Sequence, residues 1–214
     1  MPINEEYDLL SGEEQTWEEL ISLDYMNVCR NSKADFDKSS NHYILPMFNV
    51  SIFISPTDRR IWGNSKLADF LLDRFAHYSR LSALWYLIKS KDIPLSNTII
   101  PPREINGGLM FEKGSHILPL DKLAQKYGNN IEGFFQRSTA FGSEQLNYGD
   151  ASVRLFPFPR IPVILIMWCN NEEFPSRSDL LFDTTCSRHL PTDILWSIAM
   201  LSILAMVDYE SKQP

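Results

Sequence analysis

The strongest hydrophobic pattern lies late in the chain. From Ile161 to Cys169 both alternating faces are apolar except for Pro162, the pattern of a strand covered on both sides. Asp179–Asp183 reads as its antiparallel partner, joined through residues 170–177. Placing Cys169 opposite Ser178 sets Cys186 across from Ile161, at the far end of the hairpin, which excludes a Cys169–Cys186 disulfide. From Ile194 to Val207, 12 of 14 residues are apolar. A membrane span needs about 18 or more, so this run predicts a buried core helix. Thr192 and Asp193 supply capping chemistry at its start, and Trp196 and Met200 are expected to pack on a sheet.

The earlier chain carries weaker but readable periods. Ser11-Gly12-Glu13-Glu14 is a capping box and predicts the start of a helix with Trp17, Leu20 and Ile21 on one face. Residues 30–41 are polar and read as loop. Phe48, Val50, Ile52 and Ile54 alternate as in a half-buried strand, Ser55-Pro56-Thr57-Asp58 suits a tight turn, and Ile61-Trp62 returns. Lys66–Lys89 has the helical spacing of one long helix. Pro94, Pro101 and Pro102 mark a broken, extended segment, while Gly107-Gly108 predicts unusual dihedrals or close backbone approach. Two short helices follow, Pro119–Tyr127 closed by Gly128, and one capped by Asn130 that ends before Gly142.

These elements predict an α+β fold: a mostly antiparallel sheet covered by a long central helix and a buried C-terminal helix. Its strands are expected from the 43–62 and 161–183 hairpins and Val153–Phe156. The 214 residues suit a single domain, with an acidic helical arm at 1–29 and a globular core at 40–208. The net charge of −7 is concentrated in that arm, where residues 1–29 hold eight acids and no Lys or Arg. With no basic stripe, nucleic-acid binding is not expected. The start of the sequence lacks the basic and apolar runs of a signal peptide, which predicts a cytoplasmic protein with no membrane attachment. Exposed aromatics leave a homodimer open.

Candidate chemistry is sparse. Glu172, Glu173 and Asp183 could assemble a carboxylate site for a hard metal or for acid–base work, shielded by Trp168 and Phe174. The competing reading makes Glu172 and Glu173 solvated loop residues and Asp183 a cap after its strand. Arg160 stands between two prolines that stiffen the backbone and aim the guanidinium, which suits a carboxylate or phosphate. Asp150 is its expected internal partner if the role is structural. Cys186 and His189, three apart, could form a nucleophile pair or half a zinc site, but no second ligand pair has suitable spacing. Phosphate-cradling glycine loops, the serine-hydrolase elbow and H-E-x-x-H are missing from the sequence, so the common ATPase, dinucleotide and hydrolase classes are not indicated.

Read in order, Gly149-Asp150, Pro159–Val163, Trp168, Glu172–Pro175, Leu181–Asp183 and His189–Asp193 resemble the domain-of-unknown-function family numbered 3786. The hairpin, the Trp85–Leu87 stretch and Gly107-Gly108 fit the same pattern, so the resemblance covers roughly residues 15–208. It implies an uncharacterised protein of anaerobic bacteria and archaea. Some members carry a cysteine-rich iron–sulfur segment, which this sequence lacks, so cluster binding does not carry over; the cofactor is left unknown and no metal ligand is assigned. Where the family usually resembles Thr-Glu-Asp, this chain has Pro191-Thr192-Asp193. Two functional expectations remain: a non-catalytic accessory module binding a small ligand or a protein partner in an anaerobic pathway, or a metal-assisted enzyme using the hairpin carboxylates. The candidate ligand-binding residues are Arg160, Trp168, Glu172, Glu173, Phe174 and Asp183.

Overall fold

The computed structural model describes residues 5–209, with side chains from Glu13 onward. Helices α1 (Glu5–Ser22) and α2 (Tyr25–Ser32) precede strands β1 (Asp35–Asp37), β2 (His42–Met47), β3 (Val50–Ser55) and β4 (Arg60–Gly63). Helix α3 (Lys66–Asp69), a π-helical turn at Phe70–Arg74 and α4 (Ala76–Lys89) follow. Strand β5 (Ile99–Ile100) comes before two 3-10 turns, Pro102–Glu104 and Gly108–Phe111. The chain closes with α5 (Leu120–Tyr127), α6 (Ile131–Ala140), β6 (Glu144–Leu146), β7 (Ala151–Phe158), β8 (Ile161–Trp168), β9 (Arg177–Asp183), α7 (Cys186–His189) and α8 (Thr192–Asp208).

The fold is α+β with antiparallel pairing throughout, but its strands form two sheets rather than the expected one. The orders are β1-β2-β3-β4 and β5-β9-β8-β7-β6. After β4 the chain leaves through helices and never returns to the first sheet. The two sheets meet where the Phe48 amide donates to the Phe156 carbonyl at 2.8 Å. Phe48 is therefore not a strand residue. It sits in the β2–β3 turn with φ of +51°, its ring edge-on to Phe141. The alternation of Ile52 and Ile54, both buried, is real and belongs to β3 alone.

Other boundaries differ for identifiable reasons. Helix α1 already runs from Glu5, so Ser11 lies inside it and the capping box does not start it. Thr16, Trp17 and Leu20 form its buried stripe, whereas Ile21, one step around the helix, is 49% exposed. Residues 30–41 are not simply loop. Asp24 accepts from the Asn27 amide at 3.0 Å and caps α2, and β1 follows. The expected long helix is interrupted by the π turn, whose wider backbone carries Leu71 and Leu72 into the core. Asn130 caps α6 as expected, accepting from the Gly133 amide at 2.9 Å.

Strand β8 is the centre of its sheet, buried from Ile161 through Met167. Its register with β9 is shifted by two residues from expectation, with Met167 opposite Ser178 and Trp168 opposite Arg177. The polar pair Arg177-Ser178 looks like loop in sequence but belongs to the strand. All three cysteines are free. Helix α8 is buried along most of its length, and no helix among the described residues is long and apolar enough to cross a membrane. Its N-cap is Pro191. Thr192 is the first helical residue and donates through Oγ1 to the Asn106 carbonyl at 2.7 Å. Trp196 packs edge-on against Tyr78 of α4 and donates Nε1–H to the His116 carbonyl at 2.6 Å, so it faces a helix and a loop rather than a sheet.

The acidic arm is docked. Trp17 and Leu20 enter the core, Glu14 and Glu18 both pair with Arg59, and Glu19 pairs with Lys89 at 2.6 Å. Both readings of Gly107-Gly108 hold. Gly107 has φ of +78°, and a Cβ on Gly108 would stand 1.8 Å from the Pro102 carbonyl oxygen. Because that oxygen is backbone, no side-chain rotation relieves the clash. Gly108→Ala is expected to cost at least about 2 kcal/mol in urea unfolding. A loss under about 0.5 kcal/mol would show that the 102–108 backbone yields freely.

Candidate functional site

The end of the β8–β9 hairpin gathers most of the unusual side chains. Trp168 closes β8, and cross-strand pairing puts it beside Arg177, whose guanidinium lies 4.6 Å from the Trp168 ring centroid. The indole Nε1–H donates to Asp179 Oδ2 at 2.7 Å. Arg177 and Asp179 are two apart on β9 and so share a face. One holds the ring by its face and the other by its edge, which fixes the plane of the indole.

The connecting loop is organised by Asn171. Its Oδ1 accepts from the amides of Glu173 and Phe174 at 2.9 and 2.8 Å, and its own amide donates to the Phe174 carbonyl at 3.0 Å. This turn presents Phe174 outward, 65% exposed. On the other side, Asp150 Oδ2 accepts from the Cys169 amide at 2.7 Å. Gly149 precedes it at φ of +58°, where a Cβ would meet the Met167 carbonyl at 2.7 Å. The result is a cleft of about 610 Å³ lined by Asp150, Trp168, Cys169, Asn171, Phe174, Pro175 and Arg177. Burial and then the Asp150 charge push the Cys169 thiol up, so it stays protonated near neutral pH.

Trp168 and Phe174 thus share the cleft, while Glu172 and Glu173 line a shallower depression of about 330 Å³ that shares Phe174 and Pro175 with it. Asp183 does not join them. It ends β9, about 20 Å along the strand from Arg177. Buried to 3% exposure, its carboxylate accepts from the amides of Ser96, Asn97 and Thr185 and from the Ser96 and Thr185 hydroxyls, at 2.7–3.2 Å. Burial works to raise its pKa, but the bonds from Thr185 and Ser96 outweigh it and hold the group below the usual carboxylate value. The expected cluster of Glu172, Glu173 and Asp183 is therefore not assembled. No group of three or more His, Cys, Asp or Glu suited to a metal occurs among the described residues.

Arg160 is also elsewhere, at the β7–β8 turn about 26 Å along the strand direction from Trp168. Its partner is Asp92 at 2.5 Å, not Asp150. The guanidinium also donates to the carbonyls of Arg30, Asn31 and Ile93, at 3.1, 2.5 and 2.8 Å. Its backbone amide donates to the Tyr86 hydroxyl at 3.1 Å. With 5% of its side chain exposed and four of its five N–H groups donated to protein acceptors, Arg160 is committed to structural partners. Cys186 and His189 lie in α7, both buried. Burial pushes the thiol up to about 12. Burial first, then the Arg160 charge, pushes the imidazole down to about 4, so both are neutral rather than an activated pair. The His189 Nδ1 accepts from the Lys91 amide at 3.2 Å, which leaves a buried Nε2–H without a partner.

The residues not singled out in advance are Arg177 and Asp179. Their alternation with Ser178 was visible, but their contact with Trp168 follows only from the true register. Residues 24–205 match the family described as domain of unknown function (DUF3786), and the chain belongs to that family. No curated protein and no solved structure matches it.

Two outcomes follow from these partners. Arg160→Met strands three carbonyls and leaves a hole at a nearly fully buried side chain, and is expected to cost more than about 3 kcal/mol in urea unfolding, whereas Asp92→Asn costs under about 1.5 because Asp92 is 57% exposed. Equal losses would contradict the hub described for Arg160. For His189, the unfolded chain takes up the proton first as pH falls, since the folded value is depressed. Its contribution is complete above about pH 6.5 and falls away towards pH 4, by up to about 3 kcal/mol. His189→Asn keeps an acceptor for Lys91 and should flatten the stability–pH curve in that window; parallel curves would refute the assignment.

Proposed function

We propose that the chain is a non-catalytic module that binds a small ligand in the cleft at the end of the β8–β9 hairpin. The observation that carries this reading is the clamped Trp168: a half-buried indole fixed by Asp179 at its edge and Arg177 on its face, with the exposed Phe174 beside it. A rigid aromatic wall with few convergent polar groups is the usual make-up of a ligand cleft. The ligand that fits has a flat or apolar surface facing Trp168 and Phe174 and a polar edge towards Asp150 and Arg177. A protonated Cys169 and solvated Glu172 and Glu173 offer little to bond-making chemistry. The alternative of metal-assisted catalysis needs Asp183 beside those glutamates, and β9 holds it away from them. Placement in an anaerobic pathway rests on the family resemblance alone.

A thermal-shift screen of small aromatic and heteroaromatic acids tests the cleft. At least one compound should raise the wild-type melting temperature in a concentration-dependent way, and Trp168→Ala should abolish the shift while staying folded. A stabilising compound that acts equally on Trp168→Ala would remove the cleft from consideration. Stoichiometric metal in purified protein that is lost in the Glu173→Gln, Asp183→Asn double variant would restore the enzyme reading.

A further inference from the structure

Strand β9 is only half paired on its outer side. Strand β5 covers Phe182 and Asp183 through Ile100 and Ile99, and the Thr184 amide donates to the Thr98 carbonyl at 2.9 Å. In an antiparallel ladder the outward-pointing residues alternate, so Phe182, Leu180 and Ser178 carry the amides and carbonyls that face the edge. Ile100 satisfies Phe182. Beyond it, Pro101-Pro102 turn the chain into the 3-10 turn Pro102–Glu104 and the lane beside Leu180 is vacated. No backbone–backbone hydrogen bond from the described residues reaches Leu180 from that side.

What lies there is a groove of about 400 Å³. Pro102, Arg103 and Glu104, then Phe111, Glu112, Leu118 and Leu120, line it together with Arg177, Asp179, Leu180 and Leu181 of β9. An unpaired edge in such a groove is the receptor half of strand addition. We infer that this groove binds one extended peptide segment of a partner protein, which continues the lane of β5 and pairs antiparallel with β9. A second copy of the chain fits less well, because Leu180, only 2% exposed, is recessed between the walls. A single strand can reach it, whereas another sheet edge would bring wall against wall.

The groove also dictates side-chain preference. A residue opposite Leu180 projects to the face Leu180 shares with Phe182, where Phe111 packs edge-on at 6.5 Å, so it is apolar. The residue opposite Arg177 projects to the other face. There Arg177 has no carboxylate partner among the described residues, while Arg103 and Asp179 are engaged by Glu112 and Trp168. The unpartnered Arg177 therefore makes that residue acidic, while Glu104, which also lines the groove, disfavours a second acid in the segment. Read along the lane, the segment places its apolar residue opposite Leu180 and its acidic residue three positions later, opposite Arg177.

The test is fluorescence polarisation with a labelled peptide Ser-Val-Thr-Ala-Glu, whose Val is placed opposite Leu180. Saturable binding and slowed hydrogen exchange at the Leu180 amide are expected. Methylating the Val amide nitrogen, which removes one ladder bond, should weaken binding by about tenfold. Arg177→Glu should reverse the preference, favouring the same peptide ending in Lys. Phe174→Ala, which removes an aromatic wall of the hairpin-end cleft and lies outside the groove, should bind the peptide like wild type, so the two sites stand or fall separately. No saturation up to about 1 mM, or unchanged affinity after methylation, would overturn the inference.

Discussion

The buried guanidinium of Arg160 is the contact on which the rest of the interior depends. It sits where the β7–β8 turn meets the end of α2, and it donates to the Arg30 and Asn31 carbonyls, which belong to the last turn of that helix. Those carbonyls have no partner within the helix and carry its partial negative charge, so a cation there both satisfies and neutralises them. The same group holds the Ile93 carbonyl after α4, and its backbone reaches Tyr86, whose hydroxyl in turn donates to the Ser32 carbonyl. One charge thus joins a sheet, two helices and a loop. Its charge adds to burial, the larger cause, in lowering the proton affinity of His189, so the joint contributes to the acid sensitivity of α7.

This concentration of buried polarity at one end of β8 leaves the other end free. At Trp168 the polar groups are fewer, more exposed and aimed outward, and the aromatic surface is not consumed by the core. Strand β8 works as a rigid spacer between a stabilising end and the end that forms the cleft. Asp183 plays for the 96–98 loop the part Arg160 plays for α2, collecting orphan amides where the other collects orphan carbonyls.

The parts of the fold legible in sequence are those whose pattern has one reading. Helix α8 is apolar on every side and β8 on both, and neither leaves an alternative. Phe48 was ambiguous because the step into β3 keeps the same alternation whether or not a turn intervenes, and its left-handed backbone lacks the usual glycine. The splitting into two sheets was illegible because hairpins look the same whichever sheet they join. At the site, Trp168 and Phe174 were readable as aromatics next to turn chemistry. Asp92 was not, since it meets Arg160 across 68 residues with no periodic link. Glu172 and Glu173 seemed near Asp183 only because sequence distance hides how far an extended strand travels.

Helix α8 comes after every strand in the chain yet is wrapped by the core, with Tyr127 of α5 bonded to its Met206 carbonyl and Arg74 paired with its Asp208. During synthesis, both sheets and α4 therefore emerge before the element that seals them. The nascent protein therefore exposes the apolar surface that α8 covers until that helix emerges. Order of manufacture, as much as sequence pattern, sets when this molecule becomes a folded one.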